Sequence, residues 1–151
     1  MSSTFDAHDH AICISAALDR AEEAKLKWTP VRRRVLEILL ENHAAMGAYD
    51  ILKRLKAEGL GDQPPVAYRA LAYLTEHGLA HRIERLNAFV ACARPDAVHD
   101  PAFMICRTCR RVAETAAVDP LDRAAEASGF AIERTVIEAE GLCPACQEVA
   151  P

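Results

Sequence analysis

The stretch AHRIERLNAFVAC, residues 80–92, decides the fold of the first part of this chain. Apolar and polar side chains alternate along Ala80–Glu84 and again along Ala88–Cys92, which is typical of strands that bury one face. The residues between them include Asn87, and asparagine tolerates the left-handed backbone conformation that a tight turn requires. The stretch therefore predicts a β-hairpin.

Helices fill the chain before this hairpin. One helix is predicted over residues 14–27, and Thr29-Pro30 indicates the N-cap and first residue of the next. The apolar spacing of Ala48–Glu58 predicts a third helix, and residues 63–78 predict a fourth that ends at a glycine. Three or four helices followed by a hairpin are typical of a winged helix. We therefore predict a winged-helix DNA-binding domain over residues 1–92.

The fourth helix has two different faces. At 100° per residue one face is wholly apolar, and it carries Ala67, Ala70, Leu71 and Leu74. Tyr68 and Arg69 point the other way, close to the start of the helix. A tyrosine beside an arginine at this place suits a recognition helix that enters a DNA groove. An ordinary solvated face is the alternative interpretation.

A second domain follows a change in composition. Residues 93–101, which include two prolines and several polar residues, predict a hinge linker. Residues 102–151 predict a small α/β domain, so the fold class of the whole chain is α+β. The predicted elements of this domain are strands at 103–106 and 111–115, a helix from Asp119-Pro120 to Gly129, and a long strand over 130–139.

Two Cys-x-x-Cys pairs lie in this second domain, at Cys106–Cys109 and Cys143–Cys146. Two intervening residues let one tight turn present both sulfurs to a single ion, and two such turns complete a tetrahedron. Zinc held by four thiolates has no open position for water or substrate, so we predict a structural zinc site. A domain this small buries little core by itself, and the binding free energy of the metal then contributes directly to folding.

A second set of metal ligands is predicted around the hairpin. If the turn centres on Leu86-Asn87, His81 faces Cys92 directly, with their β-carbons about 5 Å apart. The linker and the next strand add His99 and Glu114, and one sulfur among nitrogen and oxygen ligands favours zinc. A metal bound by these four residues joins the wing, the linker and the second domain. The alternative is that His81 is a surface or core histidine and Cys92 an inert buried thiol.

Composition limits the class of protein. The net charge is −4, but residues 1–93 hold 12 basic and 12 acidic side chains, whereas residues 94–151 hold 6 and 10. The excess acid therefore lies in the second part, and the cluster of Lys25, Lys27 and Arg32–Arg34 in the first part is compatible with a local basic surface that contacts phosphates. No apolar run reaches the length of a membrane span and no signal-peptide pattern is present, so we predict a cytoplasmic protein. In a reducing compartment six cysteines favour metal over disulfides.

The order of these motifs resembles that of the ferric uptake regulator family, in particular its zinc uptake regulator branch. The resemblance covers nearly the whole chain, and the stretches that carry it are Thr29-Pro30, Ala48–Leu52, Pro65–Leu71, Cys106–Cys109 and Val136–Cys146. The histidine-rich run that precedes the first Cys-x-x-Cys pair in the iron regulators is absent, which argues against iron sensing.

The resemblance implies a homodimeric, zinc-sensing repressor that binds double-stranded operator DNA, with a winged helix and an α/β dimerisation domain. It also implies two Zn2+ ions per chain, and neither a membrane nor a small-molecule substrate as a partner. The structural ion falls on Cys106, Cys109, Cys143 and Cys146. The sensing ion falls on His81, Cys92, His99 and Glu114, and the DNA contacts fall on Tyr49, Tyr68 and Arg69.

Three alternatives remain open. A winged-helix and zinc-ribbon module of a transcription complex senses nothing, binds one zinc ion and has no need for the set around His81 and Cys92. A regulator of another divalent metal, such as manganese or nickel, uses the same site. An enzyme is disfavoured because the chain contains neither a His-Glu-x-x-His string nor the His-x-Glu and Pro-Cys-x-x-Cys strings of zinc deaminases.

Overall fold

The computed structural model describes residues 15, 16, 18–20, 22, 25, 27–41, 44–92, 101–116 and 121–149. The helices are α1 (Pro30–Leu40), α2 (Ala48–Ala57), α3 (Pro64–Glu76), α4 (Asp122–Ser128) and α5 (Pro144–Val149), with a 3-10 helix at Glu84–Leu86. The strands are β1 (Ala80–Ile83), β2 (Ala88–Ala91), β3 (Pro101–Cys106), β4 (Val112–Ala116) and β5 (Ile137–Gly141). Residues 15, 16, 18–20 and 22 are also helical, within the helix predicted over 14–27. None of the helices in these ranges is long and apolar enough to cross a membrane.

The three helices α1, α2 and α3 pack as the sequence predicts. Thr29 caps α1, because its Oγ1 accepts the backbone N–H of Arg32 at 3.2 Å, and Pro30 occupies the first helical position. On α3, the face with the predicted apolar residues is buried, whereas Tyr68 and Arg69 are exposed. One continuous core joins the helices, and its fully buried members include Val35, Ile38, Ile51, Leu55, Leu71 and Leu74.

The hairpin has a different register from the predicted one. His81 lies opposite Val90, not Cys92, and the two strands are joined by a four-residue connection that contains the 3-10 turn. The prediction of a two-residue turn was therefore wrong, because the connection also includes Glu84 and Arg85, both on the β1 side of the predicted turn. Asn87 does adopt the left-handed conformation expected of it, with φ 46° and ψ 49°. A third segment joins the wing through the bridge between Met46 and Phe89.

The second domain is built on a three-stranded sheet with the order β4-β3-β5. Strand β3 pairs antiparallel with β4 and parallel with β5. The predicted long strand over residues 130–139 was wrong, because only Ile137–Gly141 is a strand and residues 131–136 are irregular. β3 pairs with β5 only from Ala102 to Cys106, so within the described part of the chain the pairing of β5 starts at Ile137.

A second apolar core lies between the two domains. Ile83 and Val90 of the wing pack against Phe103, Ile105 and Val112 of the sheet, and all five side chains are buried. The segment before α2 also reaches the second domain, since the N–H of Ala45 donates to the carbonyl of Arg110 at 3.2 Å. The wing therefore lies directly on one face of the sheet.

Candidate metal sites and nucleic-acid interface

The two Cys-x-x-Cys turns meet at one end of the sheet. Because β3 and β5 are parallel, their carboxyl ends lie at the same edge, and the first pair starts at the end of β3 while the second follows β5. The ligand atoms of Cys106, Cys109, Cys143 and Cys146, which we call the four-cysteine cluster, all lie within 4.8 Å of one another. Cys109 Sγ and Cys143 Sγ are 3.7 Å apart. Zinc–sulfur bonds of about 2.3 Å in a tetrahedron give an edge of about 3.8 Å, so the cluster fits a zinc ion.

The thiols of this cluster influence one another's ionisation. Backbone N–H groups, chiefly those of Cys143 and Cys109, lower the pKa of Cys106 to about 6. Burial raises the pKa of Cys109, and the hydrogen bond shared with the sulfur of Cys143 raises the pKa of Cys146 to about 12. In the absence of metal the surroundings therefore favour ionisation of one of the four thiols and oppose ionisation of all four. A bound divalent cation supplies the positive charge that lets all four ionise.

A second group of potential ligands lies between the domains. The ligand atoms of His81, Cys92 and Glu114, which we call the sensing cluster, lie within 4.8 Å of one another. His81 Nε2 is 3.4 Å and Cys92 Sγ is 3.8 Å from Glu114 Oε1. Tetrahedral zinc gives a nitrogen–oxygen edge of about 3.4 Å and a sulfur–oxygen edge of about 3.6 Å, so the three atoms fit one ion.

The hairpin brings His81 and Cys92 together although they are not directly opposite. The N–H of Cys92 donates to the carbonyl of Leu79 at 2.9 Å, which continues the β1–β2 ladder by one step. Cys92 is then two positions beyond Val90, the partner of His81, and lies diagonally across from His81 on the same face of the hairpin. Diagonal neighbours are within reach of a side chain as long as histidine. The predicted pairing was wrong, yet both side chains point toward Glu114.

The environment of the sensing cluster is largely dry. The side chain of Glu114 is 3% exposed, that of His81 is 16% exposed, and the ring of Phe103 lies 5.5 Å from the imidazole ring. A carboxylate at such a place is costly unless a positive group accompanies it, and a bound cation meets this requirement. His99, the fourth predicted ligand, lies outside the described residues.

The predicted DNA-facing side chains are all exposed on the helices of the winged helix. Tyr68 is 56% exposed on α3, Arg69 beside it is exposed, and Tyr49 is 70% exposed near the start of α2. Lys53 Nζ lies 4.8 Å from the centre of the Tyr49 ring. Large aromatic rings left open beside cationic groups are suited to contact with sugar and phosphate.

One set of contacts between the domains was missed by sequence reasoning. Glu138 and Glu140 of β5 accept hydrogen bonds from Glu84 and Arg85 at the tip of the wing. No motif or spacing marks this contact, because the residues involved are more than fifty positions apart.

The fold and the two clusters define a winged-helix protein with a second α/β domain and two potential zinc sites. The model of the ferric uptake regulator family matches residues 23–139, and the chain belongs to this family. The zinc uptake regulation protein of Escherichia coli K12 is 38% identical over 131 residues, which cover 84% of this chain and 77% of that protein. The peroxide operon regulator of Bacillus subtilis is 27% identical over 139 residues, covering 89% and 94%.

Solved structures of zinc uptake regulators have the same fold, and this chain superposes better on a holo structure than on an apo one. A zinc uptake regulator complexed with zinc and DNA superposes with a TM-score of 0.86 at 35% identity, covering 95% of this chain and 98% of that one. Holo XcZur superposes with a TM-score of 0.81 at 33% identity, covering 92% and 99%. Apo XcZur, at 32% identity and similar coverage of 92% and 98%, reaches only 0.54.

Proposed function

We propose that this chain is a zinc-responsive transcriptional repressor that binds operator DNA as a homodimer and controls zinc uptake genes. The observation that carries the proposal is the sensing cluster, in which two residues of the wing and one of the second domain converge on one point. A metal ion bound there connects the domain that faces DNA to the domain beside it. The similarity to zinc uptake regulators, one of them in complex with zinc and DNA, supports zinc as the metal and DNA as the partner.

The two clusters have different roles in this proposal. The four-cysteine cluster holds a structural zinc ion with four thiolates and no open position. The sensing cluster holds a second ion, with His99 of the linker as its fourth ligand, so that each chain binds two Zn2+ ions. A single thiolate with imidazole and carboxylate ligands favours zinc over harder divalent ions. We assign residues 1–92 to the DNA-binding domain, 93–101 to the hinge and 102–151 to the dimerisation domain.

The proposed mechanism is a shift between an open and a closed arrangement of the domains. Without sensing zinc the winged helices rarely match both half-sites of an operator, and with zinc they do. Changing a population from about 1% to about 99% requires roughly 5.5 kcal/mol of differential binding, which is less than the roughly 10–16 kcal/mol that structural zinc sites provide. The closer match of this chain to holo than to apo XcZur supports the closed arrangement as the metal-loaded one. Operator DNA must in turn tighten zinc binding by the same factor.

The proposed DNA contacts are Tyr49, Tyr68 and Arg69. Arg69 offers the planar fork of donors that reads a guanine edge or holds a phosphate. Tyr68 contacts a thymine methyl group or a phosphate oxygen, and Tyr49 contacts the backbone from α2. Such contacts require α3 to enter the major groove with its exposed face.

The proposed dimer interface lies on the second domain. Within the described sheet β5 is an edge strand, and its unpaired backbone groups are a template for pairing with a second copy. Large apolar side chains are also exposed on the same domain, including Leu121 at 53% and Phe130 at 69%. A second copy that covers them removes apolar surface from water. We place the protein in the cytoplasm, where operator DNA lies and thiols stay reduced.

The decisive experiment measures operator affinity as a function of buffered free zinc, with manganese, iron(II) and nickel titrated in parallel. We expect tight binding only when zinc occupies both sites, with two zinc ions per chain. Affinity that does not change with zinc, together with one ion per chain, would contradict the proposal in favour of a constitutive module. Full activation by another ion at lower concentration than zinc would instead reassign the sensed metal.

A further inference from the structure

We infer that, beside the apolar core between the domains, two polar attachments hold the wing to the second domain, and that only one of them requires metal. The second is the wing-tip contact, which we define as Glu84 and Arg85 of the wing with Glu138 and Glu140 of β5. This inference rests on the proposed function and concerns how the response to zinc is set. In it Glu138 is a positioning residue that favours the closed arrangement before zinc arrives.

Glu138 binds the backbone at the start of the 3-10 turn. Its Oε1 accepts the N–H of Glu84 at 2.6 Å, and its Oε2 accepts the N–H of Arg85 at 3.0 Å. These two N–H groups belong to the first turn of a helix and have no partner within it. A carboxylate that accepts two N–H groups at once forms charge-assisted bonds in a fixed orientation. It therefore fixes both the position and the direction of the wing tip.

Arg85 adds a second pair of bonds from its side chain. Its Nε and Nη2 donate to the two carboxylate oxygens of Glu140, at 2.5 and 3.1 Å. Arg134 of the second domain also contacts the carboxylate of Glu84. Paired bonds between a guanidinium and a carboxylate add geometric specificity as well as energy. The wing tip is thus bound through backbone and side chain together.

The sheet shows how the two attachments are related. Phe103 of β3 lies beside Glu114 of β4 and beside Glu138 of β5, so the three side chains form one row on one face. Two strand spacings separate the ends of this row, roughly 10 Å. Glu114 meets the base of the hairpin at His81 and Cys92, and Glu138 meets its tip. The hairpin therefore lies across the sheet, attached at one end by metal and at the other by protein alone.

A consequence for zinc affinity follows from this arrangement. Zinc requires the closed arrangement, so its apparent dissociation constant equals the intrinsic one divided by the fraction of closed molecules. The wing-tip contact raises that fraction in the absence of metal. Removing it should raise the free zinc needed for half-maximal DNA binding, with little change in the number of zinc ions bound at saturation.

The experiment compares Glu138→Gln with the matched control Glu126→Gln on the exposed face of α4. Glutamine keeps the shape of the side chain but has one acceptor oxygen and no charge. We expect Glu138→Gln to raise the half-maximal free zinc about tenfold, which corresponds to about 1.4 kcal/mol, and the control to leave it unchanged. The double variant with Arg85→Glu and Glu140→Arg should restore most of the loss seen in Arg85→Glu alone.

A second readout does not depend on the response to DNA. Two dyes are attached through non-natural amino acids at positions 56 and 127. The labelled chain is mixed with excess unlabelled chain, so that each dimer carries dyes on one protomer only and the dyes report the distance between the domains of that protomer. In zinc-free protein, Glu138→Gln should lengthen this distance and broaden its distribution. If the wild type binds DNA in a zinc-dependent manner but Glu138→Gln has the same half-maximal free zinc concentration, the inference is overturned. The proposed function then still stands. If wild-type binding ignores zinc, the proposed function fails, and an unchanged distance in Glu138→Gln then overturns this inference as well.

Discussion

Replacing Cys92 by serine removes one ligand from the sensing cluster and leaves the four-cysteine cluster untouched. The sulfur lies 3.8 Å from Glu114 Oε1, where a tetrahedral ion needs its ligand, and a hydroxyl is a much weaker zinc ligand than a thiolate. If zinc raises the closed fraction from about 1% to about 99%, losing it lowers operator affinity by roughly 100-fold, or about 2.7 kcal/mol. Cys92 is 3% exposed, so burial of the hydroxyl adds about 1–3 kcal/mol of destabilisation.

The assay for this prediction combines fluorescence anisotropy with metal analysis. A labelled DNA fragment selected by the wild-type protein is titrated at fixed free zinc, and the zinc content of each protein is measured separately. Cys92→Ser should keep one zinc ion per chain and bind DNA as weakly as the zinc-free wild type. Cys92→Ala, which buries no hydroxyl, should show the same loss with a smaller change in stability. If Cys92→Ser keeps two zinc ions or an unchanged zinc midpoint, the reasoning about the sensing cluster is refuted.

Three further predictions address the other parts of the molecule. Cys143→Ser should lose the structural ion and with it most of the roughly 10–16 kcal/mol of metal-linked folding energy, so circular dichroism should show an unfolded second domain. Arg69→Ala should weaken operator binding by about 1–3 kcal/mol with unchanged zinc content; an equal loss in Arg123→Ala on α4 would indicate a general charge effect instead. Ile83→Ala, in the core between the domains, should cost about 2–5 kcal/mol of stability and raise the free zinc concentration at half-maximal DNA binding. A loss of stability with an unchanged half-maximal zinc concentration would show that this core does not favour the closed arrangement.

Local patterns predicted helices α1 to α4, the four-cysteine cluster and the exposed face of α3, whereas α5 was not predicted. Each of these depends on spacing within one segment or on two short motifs whose chemistry has few other uses. The position of Glu114 in β4 and its proximity to His81 also followed the sequence-based expectation. Tyr68 and Arg69 are exposed on α3 as expected, and the contact of these two residues and of Tyr49 with DNA stays a prediction.

The errors came from contacts between distant segments. The hairpin register was wrong because Glu138, more than fifty residues away, binds the N–H groups at the wing tip and stabilises a longer connection. The strand over 130–139 was placed too early because alternation within a segment does not reveal how far its neighbour β3 extends. Neither fact can be read from the residues of the hairpin or of β5 alone.

The position of β5 links the two metal sites in a way that matters when the protein is damaged. Its second residue, Glu138, holds the wing, and Cys143 follows two residues after its end. If the four-cysteine cluster holds the proposed structural ion, loss of that ion, for example through thiol oxidation, should loosen the end of β5 and so weaken the hold of Glu138 on the wing. A repressor that fails in this way releases its operators and permits zinc import. Damage to the four-cysteine cluster would thus increase the supply of the ion that this cluster binds.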